Sequence, residues 1–277
     1  MCINLGAIYS NYKMFVSYHS RRNTCNSKKI EIEGSYENNE YVLSIKNLLE
    51  CPIRLFLSSE DEEVYTILKE VSPLVLKANT DTTIIIKDKG DLKEKIDFKF
   101  KWGDSSLPIE TTSLKSLPFP ADKSYNLLQG NKSNPTHNHK TSLYAFDFKM
   151  KIGDTITSTQ DGFVIVAVDG YKGWGYSDKW KPYANQIMIY DTLSHVFTMY
   201  GHLKENGSLV EVGQYVKVGE AIGLSGKTGH TSEEHLHFNV FRADDGISGL
   251  ISYPLDSIGI YKVEDLKRHQ LLKGGGK

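Results

Sequence analysis

Cysteine is scarce in this 277-residue chain and forms no recognisable site. The three cysteines, Cys2, Cys25 and Cys51, are widely spaced in the first fifth of the sequence and include no Cys-x-x-Cys pair. An odd number of scattered thiols argues against a disulfide framework or a cysteine zinc site, although it leaves room for one disulfide. We interpret them as three independent thiols.

Long hydrophobic runs and an excess of one charge are also missing. No apolar stretch approaches the roughly 20 residues that a membrane-spanning helix needs. Residues 1–18 contain one lysine and a broken apolar stretch, which is a poor match to a secretion signal. The 33 basic residues balance the 34 acidic ones. The sequence therefore predicts no transmembrane segment, no clear signal peptide and no nucleic-acid partner.

Several familiar catalytic motifs are absent. The sequence has no Gly-x-Gly-x-x-Gly, no complete Gly-x-x-x-x-Gly-Lys-Ser/Thr phosphate loop and no Gly-x-Ser-x-Gly nucleophile elbow. It also lacks His-Glu-x-x-His, which argues against a helical zinc protease. Histidine is what the chain does have, because seven of its nine histidines lie between His137 and His237.

The chain is predicted to be mainly β and to contain two domains. Short strand-like segments with alternating apolar and polar residues occur at 30–33, 41–47, 53–57, 83–86 and 96–102. Their spacing favours a small β-sandwich over residues 1–115, acting as an accessory domain. Two prolines then indicate a linker at 116–124, before a second domain with a C-terminal tail at 125–277.

The main functional signal is a pair of histidines in the run HLHFNVF at 235–241. Its aromatic and β-branched residues predict a strand, on which positions i and i+2 share one face. His235 and His237 would then point into one space, while Leu236 points into the core. Such a pair suits a metal, a proton transfer or one of each. Two solvent-facing histidines are the alternative.

Asp147 is the second signal, because it stands between Phe146 and Phe148 in a strand-like segment. An acid buried there needs a cation or hydrogen-bond donors, unless it only caps a nearby turn. The polar loop at 129–141 precedes it and carries His137 and His139.

A long loop at 170–184 carries five aromatic residues: Tyr171, Trp174, Tyr176, Trp180 and Tyr183. Exposed aromatic side chains on a long loop often line a binding groove. A loop that packs on itself through its rings is an equally good interpretation.

The order of these motifs resembles the lysostaphin/LytM-type zinc metalloendopeptidases, which are peptidoglycan hydrolases. The resemblance covers about residues 125 to 256 and rests on YAFDF (144–148), DGFV (161–164), YGHL (200–203), VKVGEAIG (216–223), GKTG (226–229) and HLHF (235–238). One such motif would be weak evidence, whereas the ordered set is specific. It implies a largely antiparallel β-sheet catalytic domain with an open groove, whose walls include the aromatic loop.

Residue by residue, the resemblance implies one Zn²⁺ per chain, held by His137, Asp147 and His237. Two imidazoles, one carboxylate and an open position are typical of a catalytic zinc site. His202 and His235 match the catalytic pair of the family. One of them would take a proton from the attacking water, and the other would stabilise the oxyanion or protonate the leaving amine. Which histidine does which stays open at this point.

The first metal ligand departs from the commonest spacing. Many members place it four residues before the aspartate, whereas His137 and His139 precede Asp147 by ten and eight residues. Longer spacings resemble a subset of the family, and counting from the start of the loop favours His137, with His139 as the alternative. His195 and His230 match no functional position and are expected to be ordinary turn histidines.

The resemblance implies an endopeptidase that hydrolyses peptide cross-links or stem peptides of bacterial peptidoglycan, in the cell envelope, the periplasm or outside the cell. Two alternatives are a zinc peptidase acting on another protein or peptide, and a non-catalytic peptidoglycan-binding or activating module. Such modules generally lose site residues, whereas every candidate position is filled here.

Overall fold

The computed structural model describes residues 6–10, 13–17, 30–87, 89–92 and 94–275. This part of the chain is mainly β and divides into two compact units between Asp104 and Ser105. Cys2 and Cys25 lie outside the described residues, and Cys51 is a free, buried thiol. Among the described residues, no helix has the length and hydrophobicity needed to cross a membrane.

The N-terminal unit is built from short antiparallel strands and one helix. These elements are β1 (Gly6–Ser10), β2 (Lys13–Ser17), β3 (Ile30–Glu37), β4 (Glu40–Asn47), β5 (Ile53–Ser58), α1 (Glu62–Leu68), β6 (Leu74–Leu76), β7 (Thr80–Lys87) and β8 (Asp97–Trp102). One sheet has the order β3-β4-β7, another has the order β6-β5-β8, and β1 pairs with β2. The strands predicted here are confirmed, since the alternation buries one face of β4 through Tyr41, Leu43 and Ile45. The sandwich arrangement stays a prediction.

The C-terminal unit contains the remaining strands and two short 3-10 helices, Asp178–Tyr183 and Val263–Asp265. The strands are β9 (Ser113–Leu114), β10 (Ser124–Gln129), β11 (Phe146–Phe148), β12 (Thr155–Thr157), β13 (Gly162–Val168), β14 (Trp174–Gly175), β15 (Asn185–Tyr190), β16 (Phe197–Ser208), β17 (Tyr215–Val216), β18 (Ala221–Ser225), β19 (Gly229–His230), β20 (Leu236–Ala243), β21 (Leu250–Ser252), β22 (Ser257–Ile258), β23 (Tyr261–Lys262) and β24 (Leu271–Lys273).

One large sheet organises this unit within residues 105–275. Its strand order is β17-β13-β15-β16-β20-β11-β10-β24, with β12, β18 and β21 attached, and its neighbouring strands pair antiparallel. The prediction of a largely antiparallel β-sheet in the second domain is therefore confirmed. Strand β20 lies between β11 and β16, and these three strands position the candidate site.

The core of this unit lies behind the three central strands. Large side chains that are almost completely buried fill it, among them Phe146, Phe148, Tyr200, Leu236 and Phe238. Leu236 is 0% exposed, as the alternation of the HLHF motif predicts. Close packing of these side chains gives the strands fixed positions, so the polar residues between them are held in place.

The segment predicted as a linker packs into the C-terminal unit. Leu117 and Phe119 are 1% and 2% exposed and belong to its hydrophobic core. The Phe119 ring meets the Phe148 ring edge-on, with 5.5 Å between centroids. The two prolines indicated a break in regular structure, but the apolar residues beside them bury in the core, and the division between the units comes before residue 115.

We expect Leu236→Ala to lower the free energy of unfolding by about 2–5 kcal/mol, because it removes a fully buried side chain from a close-packed core. Urea denaturation followed by circular dichroism measures this change. Leu193→Ala is the matched control, since Leu193 is 81% exposed and its truncation should change stability by less than about 0.5 kcal/mol. Equal effects of the two substitutions would contradict this account of the core.

Candidate active site

The site begins with an acid and a histidine that face each other across two strands. Asp147 in β11 is paired in register with His237 in β20. Directly opposed residues of an antiparallel pair have side chains close enough to interact. His237 Nδ1 lies 2.8 Å from Asp147 Oδ1, and both residues are largely shielded from solvent.

A loop histidine completes this group. His137 lies between β10 and β11, is 0% exposed, and donates a hydrogen bond from Nδ1 to the Gly130 carbonyl at 2.9 Å. A carbonyl can only accept, so the proton of the neutral ring is on Nδ1 and Nε2 presents a lone pair. This Nε2 lies 3.3 Å from Asp147 Oδ2 and has no hydrogen-bond partner. Two buried acceptors that face each other fit a cation bound between them.

His137, Asp147 and His237 thus form a donor set of two nitrogens and one carboxylate oxygen. One potential ligand atom from each residue lies within 4.8 Å of the others, a spacing that allows a metal ion. His139, the alternative, is exposed on the same loop and lies outside this group. The structure brings the preferred three residues together, while their role as metal ligands stays a prediction.

The electrostatics of the group centre on Asp147. Burial alone would raise the pKa of its carboxyl, but the positive charge that His235 can carry, the hydrogen bond that a protonated His137 can donate and the hydrogen bond from His237 hold that pKa well below its ordinary value. For His137, burial lowers the pKa, but the hydrogen bond that the protonated ring can donate to Asp147 and the Asp147 charge outweigh it and raise the pKa. The carboxylate is therefore ionised and attracts a cation or a proton.

The two candidate catalytic histidines lie beside this group. The ring of His202, in β16, is 4.7 Å from the ring of His235 and 5.9 Å from that of His237, measured between centroids. His235 lies just before β20 and reaches the same carboxylate, with its Nε2 3.7 Å from Asp147 Oδ1. His235 and His237 therefore share one space, as the two-residue period of a strand predicts.

Backbone carbonyls orient both rings in the same way. His202 Nδ1 donates to the Thr228 carbonyl at 2.7 Å, and His235 Nδ1 donates to the Glu233 carbonyl at 3.0 Å. In the neutral form of each ring, Nε2 is then left as an acceptor. His202 also has a φ of 64°, a left-handed conformation that costs a non-glycine residue free energy and is frequent at functional sites.

His202 is held in its neutral state. Burial lowers its pKa to about 3, and the nearby charges that His235 and His237 can carry act in the same direction. At neutral pH its Nε2 therefore carries a lone pair that can accept a proton.

Two polar residues that support His202 were missed by the sequence analysis. The Thr228 hydroxyl donates to the Leu203 carbonyl at 2.7 Å and accepts the Asn185 backbone N–H at 3.0 Å. The fully buried Asn185 side chain bonds both backbone groups of Tyr171, at 2.9 Å each. The aromatic loop is thereby tied to the strand of His202. The GKTG motif contains Thr228 and was the available signal for it.

The aromatic loop packs on itself and also exposes rings. Tyr171 and Tyr183 meet edge-on at 5.3 Å between centroids, as do Trp174 and Tyr176 at 5.8 Å. Trp174 and Tyr176 are nevertheless 40% and 71% exposed. His230 donates from Nε2 to the Tyr176 carbonyl at 2.7 Å, so this turn histidine holds the loop in place. Packing of the loop on itself is therefore observed, while its place in a binding groove stays a prediction.

His195 has a comparable supporting contact. Its Nδ1 donates to the Pro108 carbonyl at 2.8 Å, within the C-terminal unit. Within the described residues, neither His195 nor His230 belongs to the group of potential metal ligands, and their interpretation as turn histidines stays a prediction.

The same part of the chain matches a known family. Residues 141–248 match the profile described as peptidase family M23. This segment of the chain is similar to M23 peptidase domains. The matched range includes Asp147, His202, His235 and His237 but begins after His137. The place of His137 in the site therefore rests on the three-dimensional arrangement.

Individual relatives agree with this assignment. The peptidoglycan DD-endopeptidase ShyB of Vibrio cholerae is 34% identical over 127 residues, covering 44% of this chain and 26% of that protein. Lysostaphin of Staphylococcus staphylolyticus is 35% identical over 95 residues, covering 34% of this chain and 18% of that protein. The predicted resemblance to lysostaphin-type peptidases is thus confirmed, while the matched segments make up a third or less of these relatives.

A solved structure of the antimicrobial peptidase lysostaphin from Staphylococcus simulans also matches. It is 29% identical, covers 46% of this chain and 47% of that chain, and has a TM-score of 0.35.

We expect His202 of the metal-free protein to stay neutral, with its proton on Nδ1, from about pH 8 to about pH 5, whereas an unperturbed imidazole titrates near pH 6.5. A lowered pKa keeps the neutral form present above it, so protonation requires a pH near 3. Imidazole ¹⁵N chemical shifts measure this, with His202→Gln used to assign the signal. A midpoint near pH 6.5 would overturn the prediction.

Proposed function

We propose that the M23 domain is a zinc-dependent endopeptidase that hydrolyses peptide bonds of bacterial peptidoglycan. The observation that carries the proposal is the convergence of two groups on one space. A buried set of two histidines and an aspartate is suited to a metal, and two further histidines beside it have their acceptor nitrogens free. A binding module has no need for this second pair.

The donor set fits zinc. His137 Nε2, His237 Nδ1 and an Asp147 oxygen are the atoms that would hold the ion, and imidazole with carboxylate is a ligand set that zinc accepts. Bound zinc would act as a Lewis acid that polarises the scissile carbonyl and makes a water molecule a better nucleophile at neutral pH. The Gly130 carbonyl fixes the His137 ring, so that Nε2 is the nitrogen presented to the ion.

The remaining histidines would move protons. His202 is neutral and presents Nε2 as an acceptor, so we assign it the role of taking a proton from the attacking water. His235 Nε2 lies 3.7 Å from Asp147 Oδ1, beside the group that would hold the ion. We therefore assign His235 to the developing oxyanion or the leaving amine. The sheet holds both rings in place before substrate arrives.

The substrate assignment draws on the relatives. The names of ShyB and lysostaphin describe a peptidoglycan DD-endopeptidase and an antimicrobial peptidase. If the present domain acts on the same class of substrate, it acts in the cell envelope, the periplasm or outside the cell, where peptidoglycan lies. We propose one zinc ion per chain and a peptidoglycan peptide as the substrate.

We expect the purified chain to bind about one zinc and to release new amino termini from isolated peptidoglycan in a chelator-sensitive reaction. His237→Ala should lose both zinc and cleavage, because it removes a ligand. His202→Ala should keep zinc but lower kcat by about 10²–10⁴-fold, the usual contribution of general acid–base catalysis. Elemental analysis and amine labelling provide the two readouts.

The exposed His269 supplies the control, since His269→Ala should change neither readout. If the chain binds zinc and cleaves a glycine-rich peptide but not peptidoglycan, the substrate assignment is wrong and the domain is a peptidase for another substrate. Zinc binding without any cleavage would favour the binding module.

We expect His137→Ala to abolish stoichiometric zinc binding and His139→Ala to leave it unchanged. His137 is buried with its Nε2 3.3 Å from Asp147, whereas His139 is exposed and outside the group. Competition with a chromogenic chelator gives the affinity of each variant. The reverse ranking would make His139 the ligand and contradict the arrangement of this loop.

A further inference from the structure

Lys227 lies between two residues that contact the candidate catalytic histidines. Gly226 forms an isolated antiparallel bridge with His235, and the Thr228 carbonyl accepts the His202 Nδ1 hydrogen bond at 2.7 Å. Consecutive Cα atoms are about 3.8 Å apart, so the backbone of Lys227 lies within one residue of both contacts. The backbone of Lys227 is therefore joined directly to both segments that contact the candidate catalytic histidines.

The side chain of Lys227 is held at the surface. Its Nζ lies 3.4 Å from the centroid of the Trp174 ring, and Trp174 is 40% exposed. Tryptophan is the preferred aromatic partner for such a cation–π contact. The ring is itself supported by an edge contact with Tyr176 and by the pairing of β14 with β19. The ammonium group is thus kept in one place, which reduces the entropy lost when a ligand binds.

Lys227 has no carboxylate partner within the described residues, and its three N–H donors make no hydrogen bond there. Other lysines of this unit do have partners. Lys149 pairs with Glu233 at 2.6 Å, and Lys172 pairs with Glu205 at 3.0 Å. Glu234, next to His235, accepts the Ile152 backbone N–H at 3.3 Å. Glu233 is therefore already paired with a lysine, whereas the ammonium of Lys227 contacts only the Trp174 ring within the described residues.

We propose that Lys227 determines specificity by binding a carboxylate of the substrate peptide close to the scissile bond. This inference rests on the proposed function and adds to it a substrate class, namely peptides with a free carboxylate near the cleaved bond. A fixed cation with three free donors forms charge-assisted hydrogen bonds with a carboxylate and gains much less from a neutral carboxamide. The nearby indole and phenol rings favour the apolar parts of the same peptide.

A purely structural role for Lys227 makes a different prediction. If its ammonium only supports Trp174, substitution would weaken cleavage of all substrates to the same degree. If it binds a carboxylate, substitution changes the preference between an acidic peptide and its amidated counterpart. The ratio of the two kcat/KM values therefore separates the roles.

The test uses the zinc-loaded full chain and two synthetic cross-linked stem peptides of identical sequence. One peptide has free carboxylates, and in the other every carboxylate is a carboxamide. We expect the wild type to prefer the free acid by about tenfold in kcat/KM, mainly through KM, as one charge-assisted hydrogen bond would give. High salt should reduce this preference.

Three variants complete the design. Lys227→Met keeps an unbranched apolar stem against Trp174 and should bring the preference to about one, because it removes the charge. Lys227→Arg keeps the charge and the stacking on Trp174 and should retain the preference. Lys179→Met is the matched control, since Lys179 lies over Trp180 at 6.0 Å in the same loop, and its preference should equal that of the wild type.

A binding measurement tests the role of Lys227 even if the domain does not act as a peptidase. Isothermal titration of the same two peptides onto wild type and Lys227→Met reads the preference without any cleavage. A preference in affinity that depends on Lys227 supports the inference even if no peptide is cut. Equal binding and cleavage of the two peptides by the wild type, or an unchanged preference in Lys227→Met, would overturn it.

Discussion

The buried carboxylate of Asp147 is the constraint around which the candidate site is arranged. A charge taken out of water destabilises the fold unless partners compensate it. Here His237 on the neighbouring strand lies within hydrogen-bond distance of the carboxylate, and His137 on a loop and His235 just before that strand can compensate its charge when they carry a proton. A single side chain therefore requires a loop and two strands to meet, and its ionised state makes the same place attractive to a cation.

Backbone carbonyls are the second constraint. The carbonyl oxygens of Gly130, Thr228 and Glu233 each accept a hydrogen bond from the Nδ1–H of one histidine, so Nε2 of that ring is left as the acceptor. Loops provide these carbonyls, while the central strands hold the polar side chains against a close-packed core. The rigid sheet thus sets the positions of the site residues. The loops set the orientation of the histidine rings and determine which ring nitrogen carries the proton.

The same loops join the site to its surroundings. Thr228 and Asn185 tie the strand of His202 to the start of the aromatic loop through buried hydrogen bonds. Next to Thr228, Lys227 rests on Trp174 of that loop. A peptide bound along the aromatic loop would therefore contact residues that are directly linked to the catalytic candidates, which gives recognition and chemistry a common support.

Local pattern was enough to predict the strands, the buried Leu236 and the common face of His235 and His237, because the two-residue period of a strand depends only on neighbouring residues. The order of the motifs also led to the family. Contacts between distant residues decided the rest. Burial brings His137, and not His139, next to Asp147, and Leu117 and Phe119 from the segment with two prolines pack in the core. The neutral state of His202 follows from its burial beside His235 and His237, and the carbonyl that fixes its proton on Nδ1 lies 26 residues away, which no local pattern can reveal.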